Sequence, residues 1–268
     1  MFEFTANGAM LRLGCFLLAL ALMMAWEYRA PLRRRQLKRL ARWPHNLALT
    51  VVNTLCLKLL VPFAAMEAAV FAAARDIGLI NLADVGLVPA VLVTLLVFDF
   101  AIYLQHRVFH AVPLLWRLHR VHHTDRDLDT TTAVRFHPVE IVLSMLIKVA
   151  LVLALGAPAA GVLLFEIILN ASALFNHGDV AIPGPLDRRI KRLIVTPSMH
   201  QVHHSVHAVD HSSNFGFFFS IWDRLLRTYR EASDDAQADM RFGITTVSAD
   251  ETVTLGRLLR QPLLSESS

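Results

Sequence analysis

Thirteen histidines stand in this chain of 268 residues, and twelve of them fall in two windows, 106–137 and 177–211; only His45 lies outside. Three patterns emerge: His106-x-x-x-His110, then His119-x-x-His122-His123, then His200-x-x-His203-His204. On a helix, residues three and four apart share a face, so each pattern presents two or three imidazoles in one direction. Neutral imidazole is the commonest biological metal ligand and suits iron, copper, zinc and nickel. Eight such side chains exceed the needs of one tetrahedral ion and point to two metals. One His-x-x-x-His in an apolar protein reads as a plain interfacial pair; three patterns together do not.

Other metal chemistries lack their residues. Carboxylate-bridged bundles of the ferritin type use Glu-x-x-His, and no histidine here has Glu three positions before it. The His-Glu-x-x-His signature of zinc proteases is absent. The two cysteines, Cys15 and Cys56, form no Cys-x-x-Cys pair, so a zinc ribbon, an iron–sulfur cluster and a disulfide scaffold are unsupported. A histidine-dominated dinuclear site remains.

The elements that position these residues are hydrophobic. The chain is 55% hydrophobic and 18% charged, with mean hydropathy +0.47. A soluble domain carries about a quarter charged residues, so the bilayer is the expected solvent, and a disordered chain is excluded. Spans are predicted from about Met10 to Trp26, within 46–74, and from Gly86 to Leu104. An apolar hairpin over 139–175, broken at Gly156-Ala157-Pro158, supplies two more helices. The first span, with acidic Glu3 before it and a basic cluster after it, reads as an uncleaved anchor. That cluster, Arg29 to Arg42, marks a cytoplasmic loop by the positive-inside tendency. The span count then places all twelve clustered histidines on the cytoplasmic side. The 22 arginines against four lysines suggest a GC-rich bacterial genome and hence an inner membrane. The net charge of +4 reads mostly as a record of topology, with no nucleic-acid role. Lys148 lies nine residues before Ala157 and Glu166 nine after. Equal depth in the hairpin and the cost of unpaired intramembrane charge predict a Lys148–Glu166 pair. Residues 251–264 read as an amphipathic interfacial helix.

The succession HRVFH (106–110), LWRLHRVHHTDRDLDTTTAVRFHPVE (115–140), LFNHGDV (174–180), TPSMHQVHHS (196–205) and NFGFFFSIWDRLLRTY (214–229) resembles the fatty acid hydroxylase/sterol desaturase superfamily, most of all its bacterial sterol-desaturase-like branch. The resemblance covers roughly residues 100–230. It implies an all-α integral membrane bundle of about four to five spans, with a cytoplasmic helical cap that carries a dinuclear metal site. The chain then divides into an N-terminal transmembrane region (1–98), a catalytic domain (99–230) and a C-terminal cytoplasmic tail (231–268).

The implied cofactor is two non-haem iron ions, for which zinc can substitute in purified protein. The implied ligands are His106, His110, His119, His122, His123, His200, His203 and His204, with His177 as a ninth. His137, Asp179, His207 and His211 are candidates for supporting contacts. Asp125, Asp127, Asp129 and Asp210 join Asp179 as candidate partners for the outer imidazole nitrogens. Trp222 and Asp223 are expected to pack and brace the cap. Where the branch has Gly in its Leu-Phe-Gly-Thr-Tyr tail, this chain has Arg227. The implied reaction is O2-dependent hydroxylation or desaturation of a lipid or sterol C–H bond. No haem, flavin or iron–sulfur fingerprint is present, so electrons must come from a separate donor of ferredoxin or cytochrome type. Arg188, Arg189, Lys191 and Arg192 offer that donor a basic surface, although positive-inside bias is the better explanation of them. The alternatives are a zinc-dependent lipid hydrolase and a metal transporter.

Overall fold

A computed structural model describes residues 2–61, 63–231, 238–248 and 254–264. Among them the chain is helical, with three isolated bridges and no β-strand. Five helices are long and apolar enough to cross a membrane. The spanning elements are α1 (Phe2–Arg29), α2 (Arg39–Leu60) continued by α3 (Ala65–Ala73), α5 (Leu87–Ala111), α7 (Pro138–Leu155) and α8 (Ala159–Asn176). The expected span within 46–74 is therefore two helices, joined around 61–64. Outward-facing leucines confirm that the solvent is apolar: Leu18 and Leu22 of α1 are each 62% exposed, which in water would form a large sticky patch.

Small residues draw the helices together. Ala65, Ala68, Ala69 and Ala72 of α3 are almost fully buried, so its backbone lies close against α7 and α8. Phe98 and Phe165 meet edge to face at 5.3 Å in the same core, a geometry their quadrupoles favour. Gly156 ends α7 with φ +69, where a side chain would be strained. The short loop before α4 (Leu79–Leu82) abuts it, since a Cβ on Gly78 would fall 2.1 Å from the Gly156 nitrogen. The 75–85 segment and the hairpin tip thus share one end of the bundle, and the histidines lie at the other.

Lys148 Nζ sits 2.8 Å from Glu166 Oε1, as the hairpin geometry predicted. Arg12 of α1 also reaches the same carboxylate, a partner that hairpin spacing could not reveal. One buried anion therefore holds three helices.

At the histidine end, short helices form a cap: α6 (Pro113–His123), α9 (Gly184–Ile190), α10 (Pro197–His203), α11 (Ala208–His211) and α12 (Ile221–Leu225). A terminal helix, α13 (Leu255–Arg260), runs into a 3-10 turn. Of the interfacial helix expected at 251–264, α13 and the turn after it are the described part, with 251–253 outside the described residues. Leu258 is fully buried with Leu49 and Val121. Arg120 Nη2 also donates to the Gln261 carbonyl at 2.8 Å, so this segment docks on α6 and α2. Arg227 adopts φ +58. That left-handed conformation is the physical reason a glycine suits the position, and Arg227 holds it at a cost.

Replacing Glu166 by Gln should destabilise the bundle by about 3 kcal/mol, because it strands two cations in an apolar setting. Adding Lys148→Met should recover part of the loss. Thermal melts in one non-ionic detergent measure both, and equal stability of E166Q and wild type would remove the triad from the account.

Candidate metal centre

Helical geometry explains how three motifs build two groups. Consecutive residues on a helix are about 100° apart, while i and i+4 nearly coincide. In α6, His119 and His123 therefore point one way and His122 another. In α10 and its C-cap, His200 and His204 pair while His203 diverges. The observed groups follow this division. His106, His110, His119, His123 and His203 form the first, and His122, His177, His200 and His204 the second. Within each group the candidate ligand atoms all lie within 4.8 Å of one another. Pro113 and Pro197 open α6 and α10, positions where a missing N–H costs nothing.

Four of the nine outer nitrogens are anchored by acceptors, whereas Nδ1 of His122, His123, His200 and His204 is buried without a hydrogen-bond partner. Nδ1 of His106 donates to the Phe215 carbonyl (2.9 Å), that of His177 to Ala173 (2.7 Å) and that of His203 to Ser213 (2.7 Å). His119 Nδ1 donates to Glu140 Oε1 at 2.7 Å. A carbonyl only accepts, so these rings carry their proton outside and turn an Nε2 lone pair inward. The inner nitrogens then crowd: His106 and His119 Nε2 are 3.1 Å apart, and His177 Nε2 lies 3.0 Å from both His122 and His200 Nε2. In the His106–His119 pair both Nδ1 protons point outward, so lone pair faces lone pair, which is repulsive unless a cation stands between them. His110 and His203 Nε2 are buried without a hydrogen-bond partner. The donor set thus fits a pair of metal ions, one for each group.

Electrostatics agree. Burial drives the His119 pKa down to about 3. It takes His177 to about 4 despite the Ala173 carbonyl. His122, His123, His200, His203 and His204 fall well below the ordinary value, first through burial and then through neighbouring imidazoles. The rings are held neutral, the form that binds metal.

The supporting candidates fare differently. His211 packs at the rim of the first group, its ring centroid 4.5 Å from His123 and 4.7 Å from Trp116. Burial lowers its pKa to about 4. His137 caps α7, accepting from the Val139 N–H at 3.3 Å, and its other nitrogen meets the Leu259 carbonyl; it braces the fold. His207 is exposed at the start of α11. Asp179 faces Arg33 and Arg35 at 3.3 and 3.6 Å.

The expectation that aspartates support the imidazoles is corrected. Among the described residues, none of Asp125, Asp127, Asp129, Asp179 and Asp210 hydrogen-bonds a clustered ring. Asp125 takes a two-point contact from Arg42, at 2.9 and 2.6 Å, and Asp129 takes Arg42 Nη1 and Arg35 Nη1, each at 2.9 Å. Asp127 accepts the N–H groups of Gln36 and Leu37, and Asp210 pairs with Arg230. Burial alone would raise the Asp125 pKa, but Arg42 and Arg135 outweigh it and hold it below the usual range. These acids lock the basic linker over the site. The carboxylate that does touch an imidazole is Glu140. It is the lone acid in the apolar run of α7, which was the available signal, because such a charge needs a partner.

Asp223 acts one step further out. It accepts from the N–H groups of Phe215 and Gly216, both at 2.8 Å, and so places the carbonyl that orients His106. Trp222 Nε1 donates to Asp99 at 2.7 Å, tying the cap to α5. Both residues brace the cap, as expected.

Residues 91–228 match the family described as fatty acid hydroxylase, which is just over half of the chain. The chain belongs to that family. Among curated relatives, the ornithine lipid hydroxylase OlsE of Rhizobium tropici is 30% identical over 156 residues, covering 58% of this chain and 45% of the relative. Human alkylglycerol monooxygenase is 26% identical over 153 residues, covering 55% and 32%. Human cholesterol 25-hydroxylase is 28% identical over 151 residues, covering 55% and 53%. The matched stretch therefore spans about half or less of each relative. No solved structure matches the chain.

Two outcomes follow for this centre. Glu140→Gln should weaken metal retention by about 10- to 100-fold, measured as metal content after challenge with a graded chelator; unchanged retention would demote Glu140 to packing. In metal-free protein, the folded-state histidine pKa values lie below the unfolded value of about 6.5. Stability is then fully present above pH 6.5 and is lost as pH falls through the window toward 4 and 3. Melting temperatures between pH 8 and pH 4 test this, and stability that rises on acidification would contradict it.

Proposed function

We propose that this protein is a membrane-bound non-haem di-iron oxygenase that uses O2 and external electrons to hydroxylate or desaturate a C–H bond of a lipid or sterol. The observation that carries the reading is the pair of buried imidazole groups at one end of a membrane bundle, in a family whose curated relatives include an ornithine lipid hydroxylase and an alkylglycerol monooxygenase. The nine clustered histidines are the proposed ligands, five on one ion and four on the other. Bound iron would supply O2 activation and hydrogen abstraction.

The chain's own residues do the remaining work. Phe215, Ala173 and Ser213 carbonyls and Glu140 hold four rings in one tautomer, so donor atoms need no rearrangement. The Glu140 carboxylate also makes His119 a more basic donor. Burial of the rings excludes water. The basic linker 29–42 lies at the histidine end, which supports a cytoplasmic site on the inner membrane. The electron donor is a separate carrier.

The hydrolase reading needs a carboxylate base beside the metals, whereas Glu140 is committed to His119. A transporter would place its ligands near the midplane, whereas these gather at helix ends.

Anaerobic purification with metal analysis, then lipidomics of cells expressing wild type or His122→Ala, tests the proposal. About two irons per chain and an O2-dependent lipid product absent from His122→Ala are expected. One zinc, no iron dependence and a hydrolysed lipid would overturn it.

A further inference from the structure

A cleft of about 410 Å³ opens beside the metal centre, between the α1–α2 linker, the 126–128 loop, Asp179 and residues 238–242. Its walls carry five guanidinium groups, from Arg33, Arg34, Arg35, Arg126 and Arg241, against three carboxylates, from Asp127, Asp179 and Asp239. Two of those carboxylates are already committed, and so are Arg35 Nη1, which pairs with Asp129, and Arg126 Nη2, which donates to the Val247 carbonyl. Asp127 accepts two backbone N–H groups, and Asp179 is shared by Arg33 and Arg35. Arg35 Nη2 is buried and makes no hydrogen bond among the described residues, although it lies 3.6 Å from Asp179. Arg34 and Arg241 are exposed at the cleft. Burial lowers the Arg33 pKa, and Asp179 does not fully offset it.

The depth of the cleft is as telling as its charge. The linker leaves α1 at Arg29, the end of a span. Trp26 and Tyr28, 39% and 75% exposed, stand just before it, where aromatic side chains mark the boundary between hydrocarbon and headgroups. A concave arginine cluster at that level matches a phosphate in geometry and charge.

We propose that this cleft is a binding site for a phosphate oxyanion at headgroup depth. The floor connects it to the metal centre: Arg33 Nη1 donates to Gln201 Oε1 at 3.3 Å, and Gln201 Nε2 donates to the Gly178 carbonyl, next to His200 and His177. The site stands on its own residues and does not depend on the oxygenase reading.

The test is titration calorimetry on the metal-loaded full chain in a non-ionic detergent. The probes are short-chain phosphatidylglycerol, inorganic phosphate, and short-chain diacylglycerol as a phosphate-free control. Saturable binding of phosphatidylglycerol alone supports the site and assigns it to a lipid headgroup. Equal binding of inorganic phosphate supports it and assigns it to a soluble anion. The double variant R34Q/R241Q should weaken binding about tenfold or more, R34K/R241K should keep most of it, and R188Q/R189Q, elsewhere on the surface, should leave it unchanged. Metal content and melting temperature, read on the same samples, separate loss of the cleft from loss of the fold. Absence of saturable binding for both phosphate probes, equal binding of diacylglycerol, or wild-type affinity in R34Q/R241Q would each overturn the proposal.

Discussion

A neutral imidazole has one proton, and this structure depends on where that proton is spent. A ring is fixed with its lone pair inward when its N–H finds an acceptor outside, as happens for four of the nine clustered rings. The chain supplies such acceptors from three kinds of place: a helix carbonyl at Ala173, loop carbonyls at Ser213 and Phe215, and the Glu140 carboxylate. The rest of the cap can be understood as support for them. Asp223 grips the Phe215–Gly216 turn, Asp99 grips Phe218, Phe219 and Trp222, and Tyr103 reaches Thr228. None of these contacts touches an imidazole, and Asp223 acts on His106 through the Phe215 carbonyl.

The second demand is electrostatic. The cap must cover its polar centre without leaving unpaired charge. Arg35 of the α1–α2 linker and Arg42 of α2 meet that demand by binding the carboxylates of the 125–129 loop. Glu27, fully buried at the end of α1, accepts from the Thr130 and Asp179 N–H groups. Breaking one member of such a network leaves its partner charged and dry, which costs far more than a surface pair would. Part of the basic cluster that reads as a topology signal is therefore also a structural latch.

What was legible in the sequence follows from the range of each interaction. Eight of the nine histidines were visible because helical spacing is local, His177 only through the family resemblance, and the Lys148–Glu166 pair because a hairpin maps sequence distance onto depth. Arg12 was not visible, since nothing local relates α1 to α8. The aspartates of the 125–129 loop were misassigned for the same reason. They stand beside the second histidine motif in sequence, but their partner Arg42 lies 83 residues before Asp125. Glu140 lay in plain view as a lone acid in an apolar helix, but its partner, 21 residues away across a loop, has no spacing rule.

The division of adjacent histidines between the two groups makes the groups inseparable. Helix α6 gives two rings to one group and one to the other; α10 and its cap give the reverse. Each helix is thus fixed at two points around its axis and cannot rotate to favour one group without disturbing the other. A single residue inserted between His119 and His122 would turn the later rings by about 100° and spoil both at once. The two sites form one mechanical object, and the sequence can drift at neither without consequence for its neighbour.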